Sequence, residues 1–371
     1  MNNILIFNHD LKMYPPILSI INILIELNRS VCVVGYCSDK KIISNLENQG
    51  VKYFEVIIND TKDYSILKLI KLFFYRRKVF TFLQSLASED TFVWVFGNQN
   101  IWLLSRAIAK YKSIIYLFEI PELSISGRYR ILSPISSYKQ VMNSAYKVVC
   151  SEYNRAHITK AYFGLKALPA IIPNKPTFSL SEICDPFEKL FANDSRKIIL
   201  YQGIFNFPER RLEELCQSIN YLSDEYLIVI MGPDCECKSL MQSRYESKRV
   251  FFLPFVSPPL HLQITKRAFI GFLSYFAHPG LIESCLNTLY CAPNKIYEYS
   301  KFDVPMIAND TPAIKYLFNI HGSGICIEDF TAQGIAKAVE SISKNYDSYS
   351  LGSRNLYDSV DMRGLIEDLI E

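Results

Sequence analysis

The feature that most constrains the fold of this chain is an alternation of short apolar runs with longer amphipathic stretches, which continues through its 371 residues. The runs are almost continuously apolar, as strands buried on both faces of a parallel sheet are. Strand–helix alternation of this kind predicts right-handed βαβ units. The predicted strands of the first half are Ile4–Phe7, Val31–Gly35, Tyr53–Ile57, Phe92–Phe96, Ile114–Phe118 and Val148–Ser151. The predicted helices include Ile17–Leu27, Ile66–Leu86 and Ile101–Lys110.

The alternation starts afresh in the second half, behind two prolines at 173 and 176 and a polar stretch that is poor in strands. Its predicted strands are Ile198–Gln202, Leu227–Met231, Val250–Pro254, Phe269–Tyr275, Pro305–Ala308 and Gly324–Ile327. We therefore predict an N-terminal domain over 1–175, a linker over 176–195 and a second domain over 196–350. A C-terminal helix over 351–371 is expected to pack back on the first domain. Two doubly wound domains facing across a cleft form a natural nucleotide site, because ligands bind at the carboxyl ends of parallel strands.

Composition excludes several classes of protein. The longest weakly charged apolar stretch, 13–25, is shorter than the ~20 residues of a membrane span, and the N-terminus has no basic region typical of a signal peptide. The ten cysteines are scattered and mostly lie in apolar runs, which favours a reducing cytoplasm. Only Cys235 and Cys237 are closely spaced, and nothing completes a zinc site around them.

Charge is distributed unevenly between the halves. Residues 1–180 hold 22 Lys and Arg against 12 Asp and Glu, whereas the remainder holds 18 against 25. This asymmetry favours a basic face on one domain and argues against nucleic acid as a partner. The segment 66–83 is apolar with five basic residues and no acidic one. It predicts a helix that lies on an anionic membrane surface, and the alternative is a core helix whose lysines and arginines reach solvent.

The most informative segment is Asn287-Thr-Leu-Tyr-Cys-Ala-Pro-Asn-Lys-Ile-Tyr-Glu-Tyr-Ser. Pro293 suits the first position of a helix, which puts Asn294 and Lys295 in the first turn. A phosphate docked on the free N–H groups there, with Lys295 beside it, would explain a cation at this end of the helix dipole. Glu298 lies one turn deeper on the same face and could accept hydrogen bonds from two ribose hydroxyls. The alternative is a solvated helix start with an internal Lys–Glu pair.

This segment, followed by Val304-Pro-Met-Ile-Ala-Asn, resembles the nucleotide-sugar motif of GT-B glycosyltransferases, and specifically that of glycosyltransferase family 4. Other segments are similar to the family in the same order. They are Leu200-Tyr-Gln-Gly-Ile-Phe with Glu209-Arg-Arg-Leu-Glu-Glu-Leu, then Val229-Ile-Met-Gly-Pro, Phe251-Phe-Leu-Pro-Phe-Val-Ser-Pro and Ala268-Phe-Ile-Gly-Phe-Leu-Ser-Tyr. The resemblance covers about 197–345 in motifs and 1–195 in architecture.

The resemblance implies a donor site in the second domain. Gly203 would let a diphosphate approach the backbone, and Arg210 or Arg211 would open the next helix and supply positive charge. Two positions depart from the family pattern, because Ile204 replaces a basic residue and Tyr290 replaces the first of two glutamates. As isolated residues, the arginines would be read as surface charges.

Further candidates lie in loops that follow strands. His278 and Gly280 would stand where the donor sugar sits, with Asn287 as a second sugar contact, although an ordinary loop histidine and a turn asparagine are the alternatives. In the first domain His9 would face the acceptor or the diphosphate. Glu119, and after it Glu122, are the candidates for a group at the reaction centre.

The resemblance implies a retaining glycosyltransferase that uses a UDP- or GDP-linked sugar and needs no metal or other cofactor. The setting implied is the transfer of sugar to a lipid-linked glycan in bacterial surface polysaccharide synthesis, at the cytoplasmic face of the membrane. Two alternatives stay open, a non-catalytic GT-B-like partner subunit and a GT-B sugar-nucleotide epimerase. The sequence contains no Asp-x-Asp triplet, Gly-x-Gly-x-x-Gly after the first strand, Walker loop or Gly-x-Ser-x-Gly, which disfavours metal-dependent transferases, dehydrogenases, P-loop enzymes and α/β-hydrolases.

Overall fold

A computed structural model describes residues 2–57, 65–121, 131, 138–177, 187–191 and 194–371, without the side chains of residues 65 and 189. The chain divides into two compact units. Unit 1 comprises Met1–Pro173 and Met362–Glu371, and unit 2 comprises Asn174–Asp361. Most of the predicted linker, 176–195, lies outside the described residues.

Unit 1 is built on a parallel sheet of seven strands in the order β3-β2-β1-β4-β5-β6-β7. The strands are β1 (Asn2–Asp10), β2 (Ser30–Tyr36), β3 (Lys52–Glu55), β4 (Phe92–Phe96), β5 (Lys112–Leu117), β6 (Lys147–Cys150) and β7 (Ala170–Ile171). The helices are α1 (Pro15–Glu26), α2 (Lys40–Asn48), α3 (Ser65–Leu86), α4 (Asn98–Leu103), α5 (Ser105–Lys110), α6 (Tyr138–Ser144) and α7 (Tyr153–Phe163). All five residues of β4 are buried, as expected for a strand covered by helices on both faces.

Unit 2 repeats this topology with six parallel strands in the order β10-β9-β8-β11-β12-β13. The strands are β8 (Lys197–Gln202), β9 (Tyr226–Met231), β10 (Val250–Leu253), β11 (Ala268–Leu273), β12 (Met306–Asn309) and β13 (Gly324–Ile327). The helices are α8 (Glu188–Phe191), α9 (Glu213–Ser218), α10 (Glu236–Tyr245), α11 (Leu262–Thr265), α12 (Ile282–Leu289), α13 (Asn294–Ser300), α14 (Pro312–His321), α15 (Ala332–Lys344) and α16 (Tyr346–Asp358). Two apolar clusters form its core.

The predicted Rossmann-like, doubly wound sheets are confirmed, and each predicted strand overlaps an observed one. Outside the candidate site, three elements differ from the sequence-based expectation. The helix expected over 101–110 is two helices, because Leu104 leaves the helical region (φ −108°, ψ 16°). The segment 351–371 contains the end of α16 and a separate helix, α17 (Met362–Ile370), which belongs to unit 1 and packs against α1. The strand β7 was not predicted.

Within the described part of the chain, every helix is too short or too polar to cross a bilayer.

Candidate functional site

The strand order of unit 2 reverses between β8 and β11, and open α/β sheets bind ligands outside the carboxyl ends of strands at this point. Gln202 ends β8, Gly203 follows it, and Tyr275 lies just beyond the end of β11. Asn309, the last residue of β12, accepts a hydrogen bond from the Tyr275 N–H (2.8 Å) and donates one to the Tyr275 carbonyl (2.6 Å). Side-chain bonds to the backbone thus hold the loop after β11 in place.

Two glycines let the loops after β8 and β9 approach each other. A Cβ atom on Gly232 would lie 1.9 Å from the carbonyl oxygen of Gly203, so only glycine fits at that position. The Gly203 N–H donates to the carbonyl of Met231 (2.9 Å). On Gly203 itself, a Cβ atom would meet the Lys295 Cε at 2.8 Å and the Tyr201 hydroxyl at 3.0 Å. Lys295 therefore lies across Gly203.

Arg210 and Lys295 both lie near the Tyr201 side chain, close to the carboxyl end of β8. Burial raises the pKa of the Tyr201 phenol to about 12, and the positive charges of Lys295 and Arg210 oppose that rise. The guanidinium carbon of Arg210 lies 4.3 Å from the centroid of the Tyr275 ring. The structure thus brings together three of the predicted donor-site residues, Gly203, Arg210 and Lys295.

Arg210 and Arg211 do not open the following helix, as the sequence led us to expect. The helix α9 begins at Glu213, which is acidic and suits the first turn. The N–H of Arg211 donates to the Ser274 hydroxyl (2.9 Å) and keeps this residue in the loop. Its exposed guanidinium lies 4.3 Å from the centroid of the Phe276 ring. Both arginines are therefore loop residues.

Glu298 lies inside unit 2, with 5 % of its surface exposed, which excludes the solvated Lys–Glu pair. Its Oε2 accepts a hydrogen bond from Gln202 Nε2 (2.7 Å), and its Oε1 lies 3.2 Å from His261 Nε2. Burial raises the pKa of Glu298, but the charges and hydrogen bonds of His261, Lys295 and Gln202 outweigh burial and lower it. Sequence reasoning missed His261 and Gln202, since no local spacing links them to Glu298.

The start of α13 differs from the prediction by one residue. Pro293 is extended (φ −72°, ψ 133°) and is the N-cap, so that the helix begins at Asn294. Its carbonyl accepts a hydrogen bond from the Ile296 N–H (3.3 Å), as the carbonyl of an N-cap residue does. Asn294 and Lys295 lie in the first turn as expected, and both are half-buried.

His278 and Gly280 lie in the exposed loop between β11 and α12, with local partners. The His278 N–H donates to the Ser284 hydroxyl (2.8 Å), and His278 Nδ1 lies 3.1 Å from the carbonyl oxygen of Pro279. Gly280 has a φ of +86°, and a Cβ atom there would meet no other atom within 4 Å. Asn287 lies on α12 and is half-buried. The donor-sugar role of these residues stays a prediction.

In unit 1 the strand order reverses between β1 and β4, and His9 lies near the carboxyl end of β1. The strand continues to Asp10, so His9 is the last residue but one of β1 rather than a residue of the following loop. The ring of His9 stacks on Tyr14, with 5.3 Å between centroids and 24° between planes. Burial and the negative charge of Glu119 raise the pKa of Tyr14. His9 and Glu119 are thus both near Tyr14, a residue that sequence reasoning missed. Glu122 lies outside the described residues.

The helix α3 has two different faces. Leu72, Tyr75, Val79 and Leu83 are buried in the core of unit 1. The opposite face is exposed and changes in character along the helix. Its first half carries Ile66, Leu67, Ile70, Phe73 and Phe74, and its second half carries Arg77 and Lys78.

Comparison with known proteins supports the fold. No protein-family model and no curated protein sequence matches the chain. Among solved structures, HepE from Anabaena in complex with UDP and glucose superposes with a TM-score of 0.69 at 14 % identity, over 100 % of this chain and 98 % of HepE. HepE is also known in complex with UDP-glucose.

Two further structures have similar folds. The α,α-trehalose-phosphate synthase (UDP-forming) of Burkholderia xenovorans gives a TM-score of 0.69 at 10 % identity, over 100 % of this chain and 99 % of the synthase. A glycosyltransferase from Rickettsia africae gives 0.66 at 10 % identity, over 100 % and 96 %. The chain therefore resembles GT-B glycosyltransferases in structure, and the predicted GT-B fold is confirmed.

Proposed function

We propose that this protein is a glycosyltransferase that transfers a sugar from a UDP-sugar to a glycan acceptor. The observation that carries the proposal is the meeting of Gly203, Arg210 and Lys295 at the carboxyl end of β8, where the strand order of unit 2 reverses. The complexes of HepE with UDP and UDP-glucose favour UDP over GDP as the nucleotide.

The chemistry of the site suits a nucleoside diphosphate leaving group. Cleavage of the sugar–phosphate bond leaves negative charge on the diphosphate, and fixed cations that stabilise this charge accelerate the reaction. Arg210 and Lys295 would supply these cations without a catalytic metal. Glu298 would accept hydrogen bonds from the ribose hydroxyls, because each carboxylate oxygen has a second lone pair besides the one used by Gln202 or His261.

The motif around 294–298 supports membership of glycosyltransferase family 4, and with it transfer with retention of configuration. On this proposal His9 and Glu119 of unit 1 are the acceptor-side residues. The stacking of His9 on Tyr14 would hold its imidazole in one orientation. The acceptor proposed is a lipid-linked glycan of surface polysaccharide synthesis, which is consistent with the exposed face of α3.

That face has the composition of an interfacial membrane helix, with exposed apolar side chains beside lysine and arginine. Anionic headgroups would attract Arg77 and Lys78, while Phe73 and Phe74 enter the acyl boundary. We therefore propose that the protein docks peripherally on an anionic membrane through this helix.

Calorimetric titration with UDP, GDP, CDP and UDP-glucose, each with and without EDTA, tests the donor site. We expect UDP and UDP-glucose to bind with the same affinity in both conditions. Binding that EDTA abolishes would contradict the metal-free site. No binding of any nucleotide to folded protein would favour the non-catalytic partner subunit.

Incubation with UDP-glucose and other UDP-sugars, followed by proton NMR, separates transfer from epimerisation. A transferase should hydrolyse the UDP-sugar slowly, with water as the acceptor, and should release UDP faster once a glycan acceptor is added. Conversion of the sugar to its epimer without acceptor would instead support the epimerase alternative.

Flotation with vesicles tests the membrane proposal. The protein should float with vesicles that contain phosphatidylglycerol and not with pure phosphatidylcholine. Phe74→Ser combined with Arg77→Ser should abolish flotation, whereas the matched pair Tyr316→Ser and Lys337→Ser, exposed residues of unit 2, should leave it unchanged. Flotation of the α3 variant at the wild-type level would exclude this helix as the docking surface.

A further inference from the structure

A buried polar network lies next to Gly203 and Lys295 in unit 2. It consists of Gln202, His261, Thr265 and Glu298, of which His261 is the most exposed at 7 %. We call these four residues the Glu298 network. Burial of a carboxylate is costly unless hydrogen bonds or opposite charge compensate it. Each member of the network should therefore have a definable part in holding Glu298.

The Glu298 carboxylate fixes the orientation of the Gln202 amide. A carboxylate can only accept, so the NH2 group of Gln202 faces Glu298 Oε2, to which it donates at 2.7 Å. The Thr265 hydroxyl lies 2.9 Å from Gln202 Oε1 and 3.2 Å from the carbonyl oxygen of His261, and can donate to either. A glutamine held in this way has a single function in the site, because its oxygen and nitrogen cannot exchange places.

Within the described part of the chain, the imidazole of His261 has one hydrogen-bond partner, Glu298. Its Nε2 lies 3.2 Å from Glu298 Oε1, and its buried Nδ1 has no hydrogen-bond partner among the residues that the structure describes. A carboxylate can only accept, so Nε2 carries the hydrogen. Burial thus leaves Nδ1 without a hydrogen bond while Nε2 contacts the carboxylate. Leucine would fill a similar volume without leaving a polar atom unbonded, so packing alone does not require a histidine here.

We propose that His261 is a positioning residue of the nucleotide site, which holds Glu298 as an oriented, ionised acceptor for the vicinal hydroxyls of a ribose. This inference rests on the proposed function, because it assigns His261 a role at a nucleotide site. It names a residue that no sequence motif indicates, on the loop before α11 rather than on the helix of Glu298.

The other charged and titratable groups near Glu298 do not replace His261. Lys295 is one turn away on the same helix and lowers the pKa of Glu298, but it is half-buried beside Gly203 and would serve the diphosphate. Burial raises the pKa values of Tyr275 and Tyr299 and the charge of Glu298 adds to both, so these phenols stay neutral. Among the partners of Glu298 named here, His261 is therefore the titratable residue outside α13 that opposes the effect of burial on the carboxylate.

Loss of His261 should change the protonation of Glu298 as well as its orientation. Burial would then raise the pKa of Glu298 with less to oppose it, so that the carboxyl group keeps its proton to a higher pH than in the wild type. A protonated carboxyl group has one acceptor oxygen fewer for ribose. The defect should therefore be largest at low pH and shrink as the pH rises.

Calorimetric titration with UDP at pH 6.0 and pH 8.5 measures this effect, with each variant compared with wild type at the same pH. A lost hydrogen bond to a charged group predicts an affinity about tenfold weaker for His261→Leu at pH 6.0, with a clearly smaller loss at pH 8.5. His261→Gln, whose amide nitrogen reaches the Nε2 position, should stay within about threefold of wild type. His261→Asn reaches only the Nδ1 position and should behave like His261→Leu. His321→Leu, at a half-buried histidine on α14, is the matched control and should not change the affinity.

The same loss for His261→Leu at both pH values, or a loss for His261→Gln as large as for His261→Asn, would overturn the inference. If His261→Leu does not fold, the Gln and Asn variants decide by themselves. A double-mutant cycle of thermal stability with His261→Asn and Glu298→Gln, each of which removes the bond between the two side chains, is measured without ligand and separates the two proposals. Coupling in a protein that does not bind UDP would overturn the proposed function and the nucleotide role of His261. Wild-type binding of UDP without any coupling would overturn the inference and leave the proposed function standing.

Discussion

Replacement of Lys238 by methionine should destabilise unit 2 far more than replacement of a surface lysine. Lys238 lies on α10 and is 4 % exposed. Its ammonium group donates to the carbonyls of Gly232 (2.9 Å) and Leu253 (2.8 Å) and to Asp234 Oδ1 (2.8 Å). All three of its hydrogens are therefore used, and they tie the loop that follows β9 to the last residue of β10.

The expected loss follows from the surroundings of each bond. The two carbonyl bonds have a charged donor, and removal of such a bond costs about 1.5–3 kcal/mol. The side chain of Asp234 is 83 % exposed and returns to water at little cost. Methionine avoids the penalty of a buried charge and offsets part of the loss, so we expect a net destabilisation of about 3 kcal/mol. For a unit the size of Asn174–Asp361 this corresponds to a melting temperature about 6–12 °C lower.

Thermal unfolding followed by circular dichroism measures the change. Lys266→Met is the matched control, because Lys266 is exposed and its loss should shift the melting temperature by no more than about 2 °C. If Lys238→Met melted within 2 °C of the wild type, the three hydrogen bonds would make no net contribution. Lys238 would then not hold the loop after β9 against the end of β10.

Three further outcomes are expected. Lys295→Met should weaken UDP about tenfold in calorimetry and leave uridine unchanged, with Lys266→Met as control, and equal losses for both ligands would contradict a phosphate role. Gly232→Ala should lower the free energy of unfolding in urea by about 1–3 kcal/mol, since its Cβ would press on the Gly203 carbonyl, and an unchanged midpoint would show that the loops are not in contact. Glu298 has a lowered pKa when folded, so its ionised form adds stability above the unfolded pKa and loses it as the pH falls through the folded value. The advantage of wild type over Glu298→Gln in urea unfolding should therefore shrink between pH 7 and pH 3, and an advantage that persisted at pH 3 would have another cause.

Much of the fold could be predicted from local patterns in the chain. A strand such as Phe92–Phe96 is a run of apolar β-formers between Thr91 and Gly97, and the structure has it with the same ends. The two residues of β7 could not be predicted, because so short a pairing depends on β6 beside it and not on a run of its own. The break at Leu104 likewise lies within a continuous amphipathic stretch and has no local signal.

The candidate site could be predicted only where one segment contains it. Asn294, Lys295 and Glu298 lie on a single helix, so their spacing was enough to predict their relative positions. Arg211 was expected on a helix and lies in a loop, because its N–H bonds to Ser274, 63 residues away in the sequence. A bond of that kind depends on the order of β8 and β11 in the sheet.

The amino-acid sequence by itself determined the two doubly wound sheets, the approximate ends of their strands and the helix that contains Lys295 and Glu298. The reason is that apolar periodicity and helix capping act over a few residues. Only the tertiary structure decided that His261 and Gln202 bind Glu298. It also decided that Lys238 is buried with three hydrogen bonds and is not a surface charge. Those contacts join side chains from different strands and loops, and they form only once the order and register of the parallel strands bring their carboxyl ends to one edge.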